Sequence, residues 1–189
     1  SHPRDLRTEL LKAALAFIKR DGLHALSLRE VARAAGVSHN APYRYFANKE
    51  ALLAALAASG FAQLRADLMA AGAIETDDRL VALGSAYVSF ARANAGLFRL
   101  MFNGGIDRQA FPELAQAASE AFAVLLNATG ENGSVCRDAA LGAWSMVHGL
   151  SNLVVERQLG EDLEADIEAS LILRRVANAY DRMRANRKQ

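Results

Sequence analysis

Cysteine is all but missing from this chain: Cys136 is the only one in 189 residues. One thiol excludes an internal disulfide and a cysteine-based zinc site, and it suits a reducing compartment. Proline is nearly as scarce, with three, and runs that alternate Val, Ile or Thr with polar residues are few, so no sheet is expected. His2, His24, His39 and His148 are scattered, which leaves no metal-ligand spacing and predicts no metal. No nucleophile sits beside a base either. Cys136 has Arg137 next to it but no histidine within a turn, and Glu161, Asp162, Glu164, Asp166 and Glu168 read as a helix start with a solvated face. An enzyme and a cofactor are therefore not expected. No uninterrupted apolar run reaches the roughly 18 residues of a membrane span, and the N-terminus has no apolar segment of the signal-peptide kind. These absences predict a cytoplasmic protein without a membrane partner.

What is present is apolar and helix-forming. Hydrophobic residues make up 52% of the chain, rich in Ala and Leu, which predicts an all-α protein large enough to bury a sizeable core. Net charge is only +1, but residues 1–50 hold nine Lys/Arg against five Asp/Glu, a local +4 that leaves −3 for the remainder. Such polarity fits an electrostatic footprint for nucleic acid at the N-terminal end, although many enzymes show as much.

The most informative stretch is residues 27–53, SLREVARAAGVSHNAPYRYFANKEALL. Ser27 and Glu30 stand three apart ahead of an apolar run, the spacing of a capping box in which the serine caps and the glutamate reaches back. Leu28, Val31, Ala32 and Ala35 then recur at helical spacing, with Arg29 and Arg33 on the opposite face. Gly36 supplies a left-handed stop, and Ser38 is placed to cap a second helix running to about Phe46. That pair has the proportions of a helix-turn-helix. Its second helix presents Ser38, His39, Asn40, Tyr43, Arg44 and Tyr45, none acidic. Asn and His suit base edges, and Tyr and Arg suit phosphate oxygens. Taken alone, the same residues read equally well as a solvated polar face. Pro42 removes a backbone donor and restrains Ala41, predicting an irregular start to this helix.

The run GVSHNAPYRYFANKEALL closely resembles the DNA-binding signature of TetR-type (tetracycline-repressor-like) transcriptional regulators. Gly36-Val37-Ser38, Tyr43-Arg44-Tyr45-Phe46 and Lys49-Glu50-Ala51-Leu52 carry the likeness. The resemblance implies base contacts from His39 and Asn40, backbone contacts from Ser27, Tyr43, Arg44, Tyr45 and Lys49, and a core position for Phe46. It makes double-stranded operator DNA the expected partner.

Around this stretch, residues 4–20 read as an amphipathic first helix that completes a three-helix head, with Arg4 and Arg7 either solvated or forming a basic arm. Residues 49–71, nearly all apolar, read as a long connecting helix with Gly60 as a weak spot. Thr76-Asp77-Asp78 opens a helix to about Asn94, and Ala95-Gly96 interrupts before a short helix at 97–102. Pro112 and Glu113 open another to about Ala128, residues 129–134 form a polar loop, and helices over 135–159 and 163–184 close the chain.

Leu141, Ser145, His148 and Asn152, interleaved with Gly142, Ala143 and Gly149, together with Ile167, Leu171, Arg174, Val176 and Tyr180, form a candidate homodimer face on the last two helices, or else pack within one subunit. An aromatic set, Tyr87, Phe90, Phe98, Met101, Phe102, Phe122, Trp144, His148 and Asn152, reads either as core or as the lining of an effector pocket. Trp144-x-x-x-His148-Gly149 resembles the Trp/His/Gly signature of one TetR subfamily. His148 is either a hydrogen-bonded core histidine, with Asn152 one turn on, or a ligand contact.

The expected organisation is a DNA-binding head (1–48), a connecting helix (49–71) and a helical bundle for ligand binding and dimerisation (72–189). The expected function is a repressor released from its operator by a small apolar or aromatic effector. The alternative is a small-molecule carrier or enzyme that keeps the head as scaffold.

Overall fold

The computed structural model describes residues 6–73, 79–129 and 137–160. Among them are seven α-helices and two 3₁₀ segments, and no strand. They divide into two compact units that do not follow chain order: Ser1–Ala62 with Asn94–Ser119, and Gln63–Ala93 with Glu120–Gln189.

In the first unit, α1 (Leu6–Asp21) buries Leu10, Ala14, Phe17 and Ile18, a stripe at helical spacing. α2 (Leu28–Ala34) buries Leu28, Val31 and Ala32. A 3₁₀ segment (Ala41–Arg44) follows, then α3 (Lys49–Gly72), whose first half belongs to this unit. α5 (Ala95–Asn103) and the start of α6 (Pro112–Ala128) complete it. The interruption before α5 falls at Asn94, with φ −128 and ψ 40, and Gly96 is inside the helix against Ile18. Gly60 does not break α3. It brings α5 close, since a Cβ there would lie 2.6 Å from Met101 Sδ and 3.1 Å from Leu97 Cγ.

α3 buries five consecutive residues, Ala54 to Ala58, so it meets protein on every side. It is the one helix among the described residues that is long and apolar enough to cross a membrane by length and composition, but 56% of its most apolar window is buried within the protein, as in a core helix.

Arg7, expected as solvated or as a loose arm, instead pairs with Glu113 of α6 through two bonds of 3.0 and 2.8 Å. Its guanidinium also lies 6.0 Å from the centroid of the Phe46 ring. A carboxylate 106 residues away decides its position, beyond the reach of local pattern.

The second unit pairs α4 (Arg79–Ala93) with α7 (Arg137–Val155). Tyr87, Val88, Phe90 and Ala91 of α4 and Ala140, Val147, Ser151 and Val155 of α7 are buried. The helix start at 76–78, the polar loop beyond Thr129, Cys136, the acidic cluster at 161–168, and the final helix with Ile167, Leu171, Arg174, Val176 and Tyr180 lie outside the described residues.

Candidate nucleic-acid interface

Ser27 has extended backbone geometry, and its Oγ accepts from the Glu30 amide at 3.2 Å, capping α2. Only half of the expected capping box forms, because the Glu30 carboxylate turns outward to accept from Arg33, at 3.1 Å from Nε and closer from Nη2. α2 ends in a Schellman turn. Gly36 sits at φ +68, its amide donates to Arg33 O at 3.2 Å, and the Val37 amide donates to Ala32 O at 3.0 Å.

The following segment is not the α-helix over 38–46 that the spacing predicts. It is a turn leading into 3₁₀ helix over Ala41–Arg44, with Asn40 rather than Ser38 at its start and no side-chain cap. The cause is Pro42. In an α-helix residue 42 would donate to Ser38 O, but proline has no N–H, and Ala41 N takes that carbonyl at 2.9 Å. Tyr43 N bonds Asn40 O and Tyr45 N bonds Pro42 O in the same three-residue pattern.

The change of helix type leaves the outward set in place. Ser38, His39, Asn40, Tyr43, Arg44 and Tyr45 are all exposed, Tyr43 at 50% and Tyr45 at 41%, whereas Pro42 and Phe46 are buried. Two large aromatic rings are thus held in solvent beside a basic side chain, while the apolar residues that interleave with them anchor the segment.

Ser27, Tyr43 and Lys49, from three separate elements, line one open groove of about 380 Å³ with Leu28, Arg29, Ala47 and Asn48. Its two charged residues are cations, and it opens at the positive N-terminal end of α3. Asn48 caps α3, its Oδ1 accepting from Ala51 N at 2.8 Å. The cap bond uses only one lone pair of Ser27 Oγ, so its O–H can donate to a phosphate oxygen. Arg29 and Asn48 were not among the residues singled out from sequence. Asn48, three residues ahead of Ala51 at a helix start, carried a readable capping signal, and Arg29 was marked only as lying opposite the buried stripe.

The aromatic candidates form two clusters. In the first unit Phe98 and Phe102 (4.9 Å between centroids) meet Phe61 of α3, which lies 5.2 Å from Phe102. Arg108 closes this cluster, 5.1 Å from the Phe61 ring centroid and donating to Met101 O at 3.1 Å. In the second unit Trp144 packs edge-on against Phe122 at 5.8 Å and lies 5.5 Å from His148. Tyr87 Oη is 2.9 Å from His148 Nδ1 and accepts from Trp144 Nε1 at 3.3 Å. Burial holds the His148 pKa below its ordinary 6.5. Asn152 donates to the His148 carbonyl at 2.9 Å, and Phe90 is buried on α4. On α7, His148 contacts Tyr87 of α4, while Leu141 (53% exposed), Ser145, Gly149 and Leu153 (38% exposed) form an outward stripe.

Residues 10–56 match the family described as bacterial regulatory proteins, tetR family, and residues 80–177 match the tetracyclin repressor-like C-terminal domain. A protein of unknown function from Rhodococcus sp. RHA1 is 33% identical, with a TM-score of 0.76 over 95% of this chain and 94% of that one. An uncharacterised HTH-type transcriptional regulator of Mycobacterium tuberculosis is 27% identical over 180 residues, spanning 93% of this chain and 82% of the relative. The fatty acid degradation regulator FadR from Bacillus halodurans shares the fold, with a TM-score of 0.63 at 20% identity over 92% of this chain and 96% of that one.

Proposed function

The chain belongs to the TetR family of DNA-binding transcriptional regulators, and from that premise we propose that it is a repressor that binds its operator as a homodimer and releases it when a small apolar or aromatic effector binds. In this reading residues 1–48 bind DNA, 49–71 connect, and 72–189 bind the effector and dimerise. His39 and Asn40 read base edges. Ser27, Ser38, Tyr43, Arg44, Tyr45 and Lys49 hold the phosphate backbone, with Arg29 added from the groove. The observation that carries the reading is the solvent-facing set from Ser38 to Tyr45, free of acidic residues and adjoining a groove with Arg29 and Lys49. A carrier that kept the head only as scaffold would have no use for two half-exposed tyrosines beside those cations.

The outward stripe Leu141, Ser145, Gly149 and Leu153 supports pairing through α7, because apolar and small residues at helical spacing let a second helix approach. Two heads held about 34–36 Å apart would meet successive major grooves. An effector releases DNA only to the extent that it prefers a conformation with another spacing. The Trp144 cluster of the second unit is the place proposed for it.

The test is selection of genomic fragments by the purified protein, followed by binding to the selected operator across a salt series. Lys49→Ala should weaken binding to all sequences and reduce the logarithmic salt slope by about 0.9 for each phosphate left without its cation, or roughly 1.8 per dimer. Asn40→Ala should relax preference at one base position per half-site. An unchanged slope for the first and unchanged preference for the second would remove the assigned division of roles.

A further inference from the structure

Among the described residues, Ser151 has the one buried side-chain polar atom without a hydrogen-bond partner. Its relative exposure is 0%. A helical serine ordinarily returns its hydroxyl to the carbonyl one turn back, and an interior hydroxyl that does not has given up water for nothing. Such a group in a well-packed unit calls for an explanation outside the fold itself.

Its position supplies one. Trp144, His148, Ser151 and Val155 succeed one another at four, three and four residues, one face of α7, the helix packed on α4. The other polar groups on this face are partnered. An indole N–H can only donate, so Tyr87 Oη accepts from Trp144 and is also bonded to His148 Nδ1, in a direction that the histidine tautomer sets. Burial favours the neutral form of His148. The Ser151 O–H is thus the unmet donor on this face. The stripe contains no Lys or Arg to offset a buried carboxylate, and Trp144 with Phe122 packed against it supplies aromatic surface.

We propose that Ser151 is the polar anchor of the effector site, donating a hydrogen bond to the carbonyl oxygen of a neutral effector with an aromatic body. The assignment rests on the reading of this protein as effector-responsive, and it names the chemical class that the site selects.

The experiment uses the full chain with Ser151→Ala and, as a control for helix propensity, Ser89→Ala at an exposed position of α4. Ethylbenzene, acetophenone and 1-phenylethanol serve as calorimetric probes of nearly one shape. Without any probe, Ser151→Ala should raise the melting temperature more than Ser89→Ala does. A smaller rise, or a fall, means that the hydroxyl is satisfied within the folded chain and overturns the proposal. Wild type should bind acetophenone about tenfold more tightly than ethylbenzene, and Ser151→Ala should close that gap to within about twofold. Equal affinity for the two in wild type, no binding of any probe at millimolar concentration, or a gap that survives in Ser151→Ala would each overturn it. Operator binding separates the two readings. Acetophenone held through Ser151 without loss of operator affinity supports the anchor and removes the effector-responsive reading. Release of DNA to the same extent from wild type and Ser151→Ala removes the anchor and leaves that reading standing.

Discussion

Replacing Gly36 by alanine isolates the backbone cost of the corner between α2 and the exposed recognition segment. At φ +68 the glycine is in the left-handed region, and a Cβ built there meets nothing within 4 Å. Collision therefore contributes nothing, and the whole effect comes from forcing an L-residue into that conformation, about 1–2 kcal/mol. The two bonds that close the turn, Gly36 N to Arg33 O and Val37 N to Ala32 O, hold the geometry and leave the strain no local escape. For a chain of 189 residues, 1 kcal/mol shifts the midpoint by about 2–4 °C, so Gly36→Ala should melt about 2–8 °C below wild type. Asparagine tolerates the left-handed region better, so Gly36→Asn should lie between the two. Circular dichroism at one fixed protein concentration measures all three, since the midpoint of the proposed dimer would depend on concentration. Equal midpoints for wild type and both variants would refute the left-handed corner.

Gly60→Ala should destabilise by about 1–3 kcal/mol despite the gain in helix propensity, because Met101 and Leu97 occupy the space; in a Met101→Ala background the same change should become neutral or stabilising, and additive effects in denaturant titrations would argue against the close α3–α5 approach. A double-mutant cycle on Arg7 and Glu113 should give a coupling of about 0.2–1 kcal/mol, since one guanidinium nitrogen reaches both carboxylate oxygens but both partners are more than a third exposed; no coupling at low salt would show that the pair does not form in solution. Because burial depresses the His148 pKa, the unfolded chain takes up that proton first as pH falls. The stability held by neutral imidazole is therefore complete above about pH 6.5 and is lost as pH falls from there toward the folded-state pKa. His148→Gln should flatten the midpoint between about pH 7 and 5, and an unchanged slope in that variant would count against a buried neutral imidazole.

Features governed by near neighbours were legible in the residues, and features governed by distant ones were not. The Ser27 cap, the Gly36 corner and the α6 start at Pro112 each depend on a few adjacent positions, and each stands in the structure where spacing put it; the burial of Phe46 is where the family resemblance put it. Pro42 announced a disturbed helix but not its replacement by 3₁₀ geometry, which depends on Ala41 taking the Ser38 carbonyl. Glu30 matched a capping box, yet Arg33, one turn on, offered its carboxylate a charged partner. Helical periodicity identifies which side of a helix is buried without saying what buries it. That is why the aromatic set could be named as a group while its division between Phe98 with Phe102 and Tyr87 with Trp144 and His148 could not. The groove was likewise half-visible. Ser27, Tyr43 and Lys49 came from the family resemblance, but their meeting around Arg29 and Asn48 is a property of the folded head.

The short recognition segment bears on how an operator would be distinguished. An α-helix over nine residues would lay side chains along about 13 Å of a major groove, whereas four residues of 3₁₀ helix advance only about 8 Å. Tyr43 and Arg44 leave this tighter coil at intervals of about 120° rather than about 100°, so fewer side chains can face bases at once and more must face the strand backbone. His39 and Asn40, exposed on the turn ahead of Pro42, are then the residues best placed to read bases, and one head would read only a few base pairs. Discrimination worth several kcal/mol requires more than that, because each mismatched pair costs about 1–3 kcal/mol. The remainder has to come from two heads held at a fixed separation, and under the proposed pairing through α7 that stripe would matter to sequence choice as much as the recognition segment itself. A single half-site should therefore be bound with the strong salt dependence of phosphate contacts but little preference for sequence. Full selectivity on a half-site would show that one head suffices and that pairing serves another purpose.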